Sequence, residues 1–396
     1  MWLSDLALSD FRSYPEAVLA FEPGITAFIG ENGQGKTNLV EAIAYLATLS
    51  SHRVAADQAL VRLGGGAAVV RAKAREEERS SVLEVEILAG RANRARLNRG
   101  SVKPRELLGI VRAVVFAPED LVLVSGDPSE RRRFLDDIAV QALPRMAGVK
   151  ADYDKITRQR AALLKESGLR ARRGENIDEV SLGVWNERLA DVGAQIVAHR
   201  ARLVRALRPH VTECYAQIAP GRGTTHVAYR ANVDDRSQDI PGPVQLEESD
   251  AELLALEEEL FDIAQVRSRL LGQMERMRAK EIERGVNLVG PHRDDLMLGL
   301  GQLPARGFAS HGETWSYALA LRLASWHLLK EDGSSDPLLI LDDVFAELDV
   351  NRRARLAELI APVEQVFITV AVGDEIPADM PVRRFTVAGG TVRAES

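Results

Sequence analysis

The chain has 396 residues, of which 46% are hydrophobic and 28% charged, and its formal net charge is −7 at pH 7. This length predicts roughly two to three domains. The net negative charge does not indicate a nucleic-acid-binding protein, but it does not exclude one, because a local basic groove can lie on an acidic protein. Cys214 is the single cysteine, so a disulfide within the chain is excluded and a reducing compartment is expected. No apolar run reaches the roughly 18 residues that span a bilayer, and we therefore expect a soluble, cytoplasmic protein with no membrane partner.

The first motif along the chain is a phosphate-binding loop. The stretch GENGQGKT, residues 30–37, matches G-x-x-x-x-G-K-[ST]; it follows an apolar segment typical of a buried strand and precedes apolar residues at helical spacing. Glycines let backbone N–H groups point at phosphates, Lys36 would reach the β- and γ-phosphates of ATP, and the Thr37 hydroxyl would bind Mg²⁺. The predicted nucleotide-binding residues are Gly30, Glu31, Asn32, Gly33, Gln34, Gly35, Lys36, Thr37 and Asn38.

Two basic clusters in the first part of the chain are candidates for contact with DNA. Arg94 and Arg96 stand between apparent strand segments, and Arg131, Arg132 and Arg133 form an uninterrupted run. Such contacts would be mostly to phosphate, independent of sequence and sensitive to salt. The alternative is that each cluster is ordinary solvated surface charge.

The middle of the chain lacks the alternation of strands and helices that its flanks have, and we predict that it is helical. Apolar residues from Trp185 to Ala206 recur at steps of four and three, which is coiled-coil spacing over about three heptads. An earlier set from Val149 to Leu163 fits a compatible register. We therefore expect two antiparallel helices joined at a tip, forming an arm with a short antiparallel coiled coil.

A second candidate anion-binding loop is S-x-G-E at residues 310–313, ahead of an apolar helical stretch. Ser310, Gly312 and the free N–H groups of a helix start can bind a phosphate. One P-loop needs no second loop of this kind, so two copies of the chain would face each other and each would present this loop to the other's γ-phosphate. The alternative is a simple capping box, in which Ser310 caps the helix and Glu313 returns the hydrogen bond.

The acidic partner of the P-loop is predicted in LLILDD, residues 338–343. Four aliphatic residues typical of a buried parallel strand are followed by two acids at its carboxyl end. Adjacent carboxylates are costly there without a cation, so we assign Asp342, with Thr37, to Mg²⁺ and Asp343 to the attacking water. Lys36 and Asp343 are the predicted catalytic residues, and the alternative is that one of the two acids only caps a helix.

These motifs lie at opposite ends of the chain, although a P-loop and its acidic strand are expected on neighbouring strands of one sheet. A large insertion must therefore divide a single α/β nucleotide-binding domain. The predicted organisation is a P-loop ATPase head, formed by residues 1–140 and 286–396, that is split by a mainly α-helical arm at residues 141–285.

The order of P-loop, S-x-G-E, aliphatic strand with paired acids, and ELD at residues 347–349 resembles that of ABC-type ATPases, in which two heads sandwich two ATP molecules. Longer stretches, including SHRVAADQALVRLG, APEDL, GPHRDDL and LILDDVFAELD, are similar to those of the RecF family of bacterial recombination mediators, and the resemblance spans nearly the whole chain. It implies that Glu119 lies near the position where related heads place a metal-contacting glutamine, and Thr369 near a switch histidine. Asp343 stands where many ABC-type ATPases have glutamate, and His311 and Glu313 stand where RecF proteins often have glutamine-rich residues. Slow hydrolysis would therefore be unsurprising.

The resemblance also implies a function in recombinational repair and replication restart. An ATP-dependent homodimer would close on double-stranded DNA near single-strand gaps or junctions, with RecO- and RecR-type mediators as partners, a nucleoid-associated location and slow, DNA-stimulated hydrolysis of ATP. Two alternatives share the nucleotide chemistry: an SMC-like architectural DNA-binding ATPase, and the motor subunit of an ABC transporter, which lacks a coiled arm.

Overall fold

The computed structural model describes residues 1–51, 53–54, 56–233, 250–331, 333 and 335–395. In this part of the chain the strands, β1 to β15, are Trp2–Phe11, Tyr14–Ala20, Gly24–Ile29, Ala67–Glu76, Arg79–Leu88, Arg94–Leu97, Gly100–Val102, Ala113–Phe116, Thr225–Arg230, Asp295–Leu300, Leu303–Pro304, Leu338–Asp342, Gln365–Val370, Val382–Ala388 and Thr391–Ala394. The α-helices, α1 to α9, are Lys36–Thr48, Leu121–Ser125, Pro128–Ala142, Met146–Arg172, Glu179–Ile218, Asp250–Glu259, Ile263–Arg284, His311–Glu331 and Val350–Ile360.

A mixed central sheet joins the two ends of the chain. Its strand order is β15-β14-β3-β13-β12-β8, and every neighbouring pair is parallel except β14 with β15. The sequence predicted that the P-loop strand β3 and the acidic strand β12 are neighbours. This is wrong, because β13 lies between them. Since β3, β13 and β12 are parallel, the residues that follow all three strands still meet at one edge of the sheet.

Both faces of the central sheet are covered, which explains its uninterrupted apolar strands. Leu338 and Ile340 of β12 belong to a core shared with α1 and with a separate antiparallel sheet of order β2-β1-β4-β5-β6-β7. Leu339 and Leu341 point the other way, into a second core formed largely by helices α3, α5 and α8. The head is therefore a layered α/β structure built around β3, β12 and β13.

The arm is an antiparallel pair of long helices. α4 and α5 have 27 and 40 residues, and the short segment 173–178 joins them at the tip. α7 packs against both, and α5 also packs along α8 of the head. One strand of the middle region was not predicted: β9 pairs with β10, so the insertion contributes to a small sheet with the C-terminal half of the head.

The wider packing of α5 explains where the predicted heptad stripe departs from the structure. Leu189 and Ile196 are buried as predicted, but Ala206 at the end of the stripe is exposed. Over 40 residues, a helix with 3.6 residues per turn drifts away from a strict repeat of 3.5. The base of α5 instead buries residues such as Val204 and Leu207 against the head.

Two buried networks of hydrogen bonds and ion pairs hold the helices of the arm and of the neighbouring head together. Arg160 of α4 donates to both carboxylate oxygens of Glu281 on α7, at 3.1 and 2.6 Å, and to Asn287. Arg200 of α5 binds Asp136 of α3 at 2.8 Å and Asp294 at 3.3 Å. The Arg160 network therefore joins helices within the arm, and the Arg200 network joins the arm to the head. No helix in the described ranges combines the length and the apolarity that crossing a bilayer requires.

Candidate nucleotide-binding site

The P-loop connects β3 to α1 in the context that the motif requires. Two of its glycines admit no side chain: a Cβ on Gly30 would lie 2.2 Å from the carbonyl oxygen of Val387, and one on Gly35 would lie 2.8 Å from the hydroxyl of Tyr14. Gly35 also has a φ of 111°, which side-chain-bearing residues rarely adopt. Close packing and backbone conformation thus both explain why glycines stand at these positions.

The Lys36 side chain folds over the loop. Its ammonium group donates to the carbonyl oxygens of Gly30 and Glu31, at 2.6 and 3.2 Å, and to Oδ1 of Asn32 at 3.3 Å. The lysine is only 3% exposed. A buried cation held by neutral oxygen atoms alone is suited to binding an anion at this loop.

Three side chains from three neighbouring elements converge on the acidic end of β12. Oδ1 of Asp342 accepts hydrogen bonds from the hydroxyl of Thr37 at 3.1 Å and from the hydroxyl of Thr369 at 2.5 Å. Thr369, within β13, also accepts a hydrogen bond of 2.9 Å from the backbone N–H of Asp343. The sequence indicated only that Thr369 lies near a switch position; its direct bonds to both acidic residues depend on the register of β12 and β13.

The two acids differ in environment. Burial raises the pKa of Asp342 to about 6; the charge of Asp343 acts in the same direction, and the hydrogen bond from Thr369 opposes them. Asp343 is partly exposed and has a φ of 51°, a left-handed conformation that is uncommon for residues with a side chain, although aspartate adopts it more readily than most. Glu119 is exposed at the end of the neighbouring strand β8, close enough for its charge to raise the pKa of Asp342 further.

These residues fit ATP and Mg²⁺. A glycine loop, a buried lysine and the start of α1 form a cradle for phosphates. A threonine hydroxyl and a carboxylate oxygen that lie 3.1 Å apart supply the hard oxygen ligands that Mg²⁺ prefers. The raised pKa of Asp342 is a further sign that this carboxylate is suited to a nearby cation.

The S-x-G-E segment, which we call the signature loop (residues 310–313), leads into α8 and has the hydrogen bonds of a capping box. Oε2 of Glu313 accepts from the backbone N–H of Ser310 at 2.8 Å and from its hydroxyl at 2.7 Å. In return, the Ser310 hydroxyl accepts from the N–H of Glu313 at 3.3 Å. The capping-box alternative is therefore present in the structure, and Ser310 is exposed at the surface with no hydrogen bond to the P-loop.

An arginine that the sequence analysis did not select lies against the signature loop. A Cβ placed on Gly312 would be 2.9 Å from a guanidinium nitrogen of Arg352, in the first turn of α9. Asp349, the last residue of ELD, caps α9 by accepting the N–H of Arg352 at 3.0 Å and lies 3.5 Å from its guanidinium. The capping role of Asp349 can be predicted from its place at the helix start, whereas the contact of Arg352 with Gly312 cannot.

The sequence predicted a basic surface at the arginine run of α3, but the three side chains do not form one. Arg131 is 5% exposed and its guanidinium binds Asp295 at 2.8 and 3.1 Å, so the prediction that it contacts DNA is corrected. Arg132 is half-buried and donates to the Asp294 carbonyl at 2.7 Å. Only Arg133 is exposed. Successive helical residues point about 100° apart, so a run of three cannot share one face.

The other predicted basic pair is exposed on the antiparallel sheet. Arg94 and Arg96 of β6 have side chains 72% and 62% exposed. They face Glu86 and Glu84 of β5, at 3.6 and 3.2 Å. These arginines are accessible, although acidic residues beside them offset part of their charge.

The chain has sequence relatives among known proteins over nearly its full length. Residues 2–386 match the family described as the RecF/RecN/SMC N terminal domain. The chain is 54% identical to the DNA replication and repair protein RecF of Beutenbergia cavernae, over 99% of both chains. It is 51% identical to the protein of the same name from Streptomyces avermitilis, again over 99% of both chains.

Solved structures agree with this relationship. The structure of the recombination mediator protein RecF-ATPrS in the RecFOR pathway matches all of this chain and 98% of its own, with a TM-score of 0.83 and 25% identity. A structure of the SMC head bound to the C-winged helix domain of ScpA matches with a TM-score of 0.54 and 18% identity, which indicates a shared fold. The chain thus has an ABC-type ATPase head with a helical arm, and it belongs to the RecF family of DNA replication and repair proteins.

Proposed function

We propose that the protein is an ATP-dependent DNA-binding protein of recombinational repair and replication restart. The homodimer closes on double-stranded DNA near single-strand gaps or junctions when ATP is bound, helps to load recombinase, and releases the DNA after slow hydrolysis. The observation that carries this proposal is the meeting of Thr37, Asp342 and Thr369 at one edge of a head that also bears a helical arm. Family membership supports the same function.

The P-loop and the acidic strand divide the work at the nucleotide. The backbone N–H groups of residues 30–38 and the Lys36 ammonium bind the phosphates of ATP. Thr37 and Asp342 would hold Mg²⁺, which would neutralise charge on the β- and γ-phosphates. Asp343 orients and deprotonates the attacking water, while Thr369 holds the backbone of Asp343 in place. We propose slow, DNA-stimulated turnover, because aspartate is shorter than the glutamate that many ABC-type ATPases have there.

The second half of each ATP site comes from the other copy of the chain. Ser310 is exposed and Gly312 is partly exposed, and among the described residues neither forms a hydrogen bond with its own P-loop. Trp326 donates to the Pro337 carbonyl at 2.8 Å, so α8 runs back along β12 with its start towards the edge that carries the P-loop. From Trp326 to Ser310 the helix rises about 24 Å, more than the roughly 17 Å of a five-residue strand. The signature loop therefore stands beyond the sheet edge, where a second head can reach it.

DNA is held mainly through phosphate contacts. Arg94, Arg96 and Arg133 are the exposed candidates, and half-buried Arg132 is less accessible. Contacts of this kind give affinity that depends on salt rather than on sequence. We further propose RecO- and RecR-type mediators as partners and a nucleoid-associated location in the cytoplasm.

Two other functions use the same nucleotide chemistry. An SMC-like architectural ATPase is the nearer alternative, since an SMC head shares the fold. The motor subunit of an ABC transporter is less consistent with the α4–α5 arm.

The proposal is tested by measuring self-association and DNA binding of the purified protein with and without ATP. Sedimentation velocity should give monomers without nucleotide and dimers with ATP and Mg²⁺. Fluorescence anisotropy should then show tighter binding to a gapped duplex than to an intact duplex or a single strand, and weaker binding as salt rises. Equal mass and equal DNA affinity with and without ATP would contradict the proposal, and equal affinity for gapped and intact duplex would favour the architectural alternative.

A further inference from the structure

The signature loop carries its own anion. One oxygen of Glu313 accepts both the hydroxyl and the backbone N–H of Ser310, at 2.7 and 2.8 Å. These hydrogen bonds hold the pKa of Glu313 below its usual value, so the carboxylate stays ionised near neutral pH. A full negative charge thus lies within hydrogen-bonding distance of the serine that the proposed function assigns to phosphate.

A phosphate arriving at Ser310 meets this charge directly. The hydroxyl has one proton to donate, and it is already donated to Glu313. Two anions at one helix start also repel each other, and the repulsion is stronger where water is excluded between two heads. Binding of the second copy's γ-phosphate therefore requires that the Ser310 hydroxyl leave Glu313.

The surroundings of the loop provide other positions for the carboxylate. The guanidinium of Arg352 lies against Gly312, and its charge, with that of Arg222, already acts on Glu313. Tyr215 is 1% exposed, and among the described residues its hydroxyl has no hydrogen-bond partner. Burial raises the pKa of Tyr215 to about 12, and the charge of Glu313 contributes to this rise. The guanidinium beside Gly312 is a group that a displaced carboxylate can bind.

We propose that Glu313 sets the ATP concentration at which two heads engage, because its carboxylate occupies Ser310 and must be displaced by the second copy's γ-phosphate. The inference rests on the proposed function, in which Ser310 serves the other head. It deepens that function by naming the residue that opposes closure in the absence of sufficient ATP.

The test compares dimer formation as a function of ATP concentration in three variants. Glu313→Gln keeps a side chain that can complete a capping box but removes the charge. Glu313→Ala removes both the charge and the hydrogen bonds. Glu358→Gln is the matched control, since Glu358 is an exposed acid on α9 outside the signature loop. ATP binding to the monomer is measured separately with a fluorescent analogue, and circular dichroism checks the fold.

We expect Glu313→Gln to lower the ATP concentration at half-maximal dimer formation about two- to fivefold, the size of effect that a neighbouring charge has on a partly exposed ionic contact. Glu313→Ala should shift it in the same direction, while Glu358→Gln should match the parent and monomer affinity for ATP should not change. An unchanged or higher midpoint in Glu313→Gln would overturn the inference. If the parent fails to dimerise at any ATP concentration, the proposed function itself fails, which separates the two outcomes.

Discussion

The hydroxyl of Thr369 donates a 2.5 Å hydrogen bond to Oδ1 of Asp342, the same carboxylate oxygen that accepts from Thr37. The threonine also holds the N–H of Asp343. One side chain on β13 therefore positions the residue assigned to Mg²⁺ and the residue assigned to water.

Replacing Thr369 by valine keeps the shape of the side chain and removes these bonds. Residues that orient metal ligands typically contribute about 10- to 100-fold to activity, so the ATPase rate should fall by about that factor. The loss of a donor to buried Asp342 should also lower the free energy of unfolding by about 1–3 kcal/mol. Steady-state ATPase assays and urea unfolding measure the two effects. Thr26→Val, at a buried threonine of β3 that forms no hydrogen bond with either acid, is the control; equal effects of both substitutions would contradict the assignment.

Asp343→Asn should slow turnover while ATP binding persists, because Asp342 and Thr37 still hold Mg²⁺. We expect dimers that form with ATP and dissociate slowly. Single-turnover hydrolysis and the lifetime of the dimer after dilution test this expectation. A variant that hydrolyses ATP at the parent rate would show that Asp343 does not orient the water.

Much of the nucleotide site could be predicted because its signals are local. The P-loop is one continuous stretch, the acids follow directly on their strand, and the Ser310–Glu313 capping box spans four residues. The role of Thr369 and the contact of Arg352 with Gly312 join residues that are distant in sequence. No periodicity reveals such contacts before strand order is known.

Contacts between residues that are distant in sequence also account for the predictions that the structure contradicts. Arg131 looked like part of a basic surface because its partner Asp295 lies 164 residues away. The heptad pattern of α5 predicts packing against one partner helix, whereas α5 packs on α4, α7 and α8. β13 could not be placed between β3 and β12 because the order of parallel strands is set by crossovers and not by sequence order.

The stability of the fold should depend on pH through His292, the histidine of GPHRDDL. His292 lies between the hydroxyl of Tyr153 at 2.7 Å and the Asn287 carbonyl at 3.2 Å, and burial lowers its pKa to about 4. The unfolded chain takes up this proton near pH 6.5, whereas the folded chain does so only near pH 4. The contribution of neutral His292 to the free energy of unfolding is therefore complete above pH 6.5. It is lost as the pH falls towards 4, by at most about 3 kcal/mol. Urea unfolding at several pH values should show a shallower acid loss in His292→Gln, and identical slopes would contradict this.

The buried ion pair of the arm should be far more sensitive than an exposed one. Glu281→Gln leaves the guanidinium of Arg160 buried without its carboxylate partner, and we expect the free energy of unfolding to fall by about 3–5 kcal/mol. Glu166→Gln breaks the exposed pair with Arg170 on the same helix and should cost about 0–1 kcal/mol. Urea unfolding monitored by circular dichroism compares them. Similar midpoints for both variants would show that the Arg160–Glu281 pair does not stabilise the arm.

The central claim is that each ATP site is shared between two copies of the chain, and mixing two inactive variants tests it most directly. Lys36→Ala removes the P-loop cation but keeps the signature loop, and Ser310→Arg blocks the signature loop but keeps the P-loop. Each variant alone should fail to dimerise on ATP, with Lys36→Ala also losing ATP affinity and Ser310→Arg retaining it. In the mixture, the P-loop of one chain meets the intact Ser310 of the other, so one of the two sites is rebuilt. Cross-linking at low salt should detect partial association that neither variant shows by itself. A mixture that stays monomeric while Ser310→Arg alone dimerises as readily as the parent would contradict the shared site.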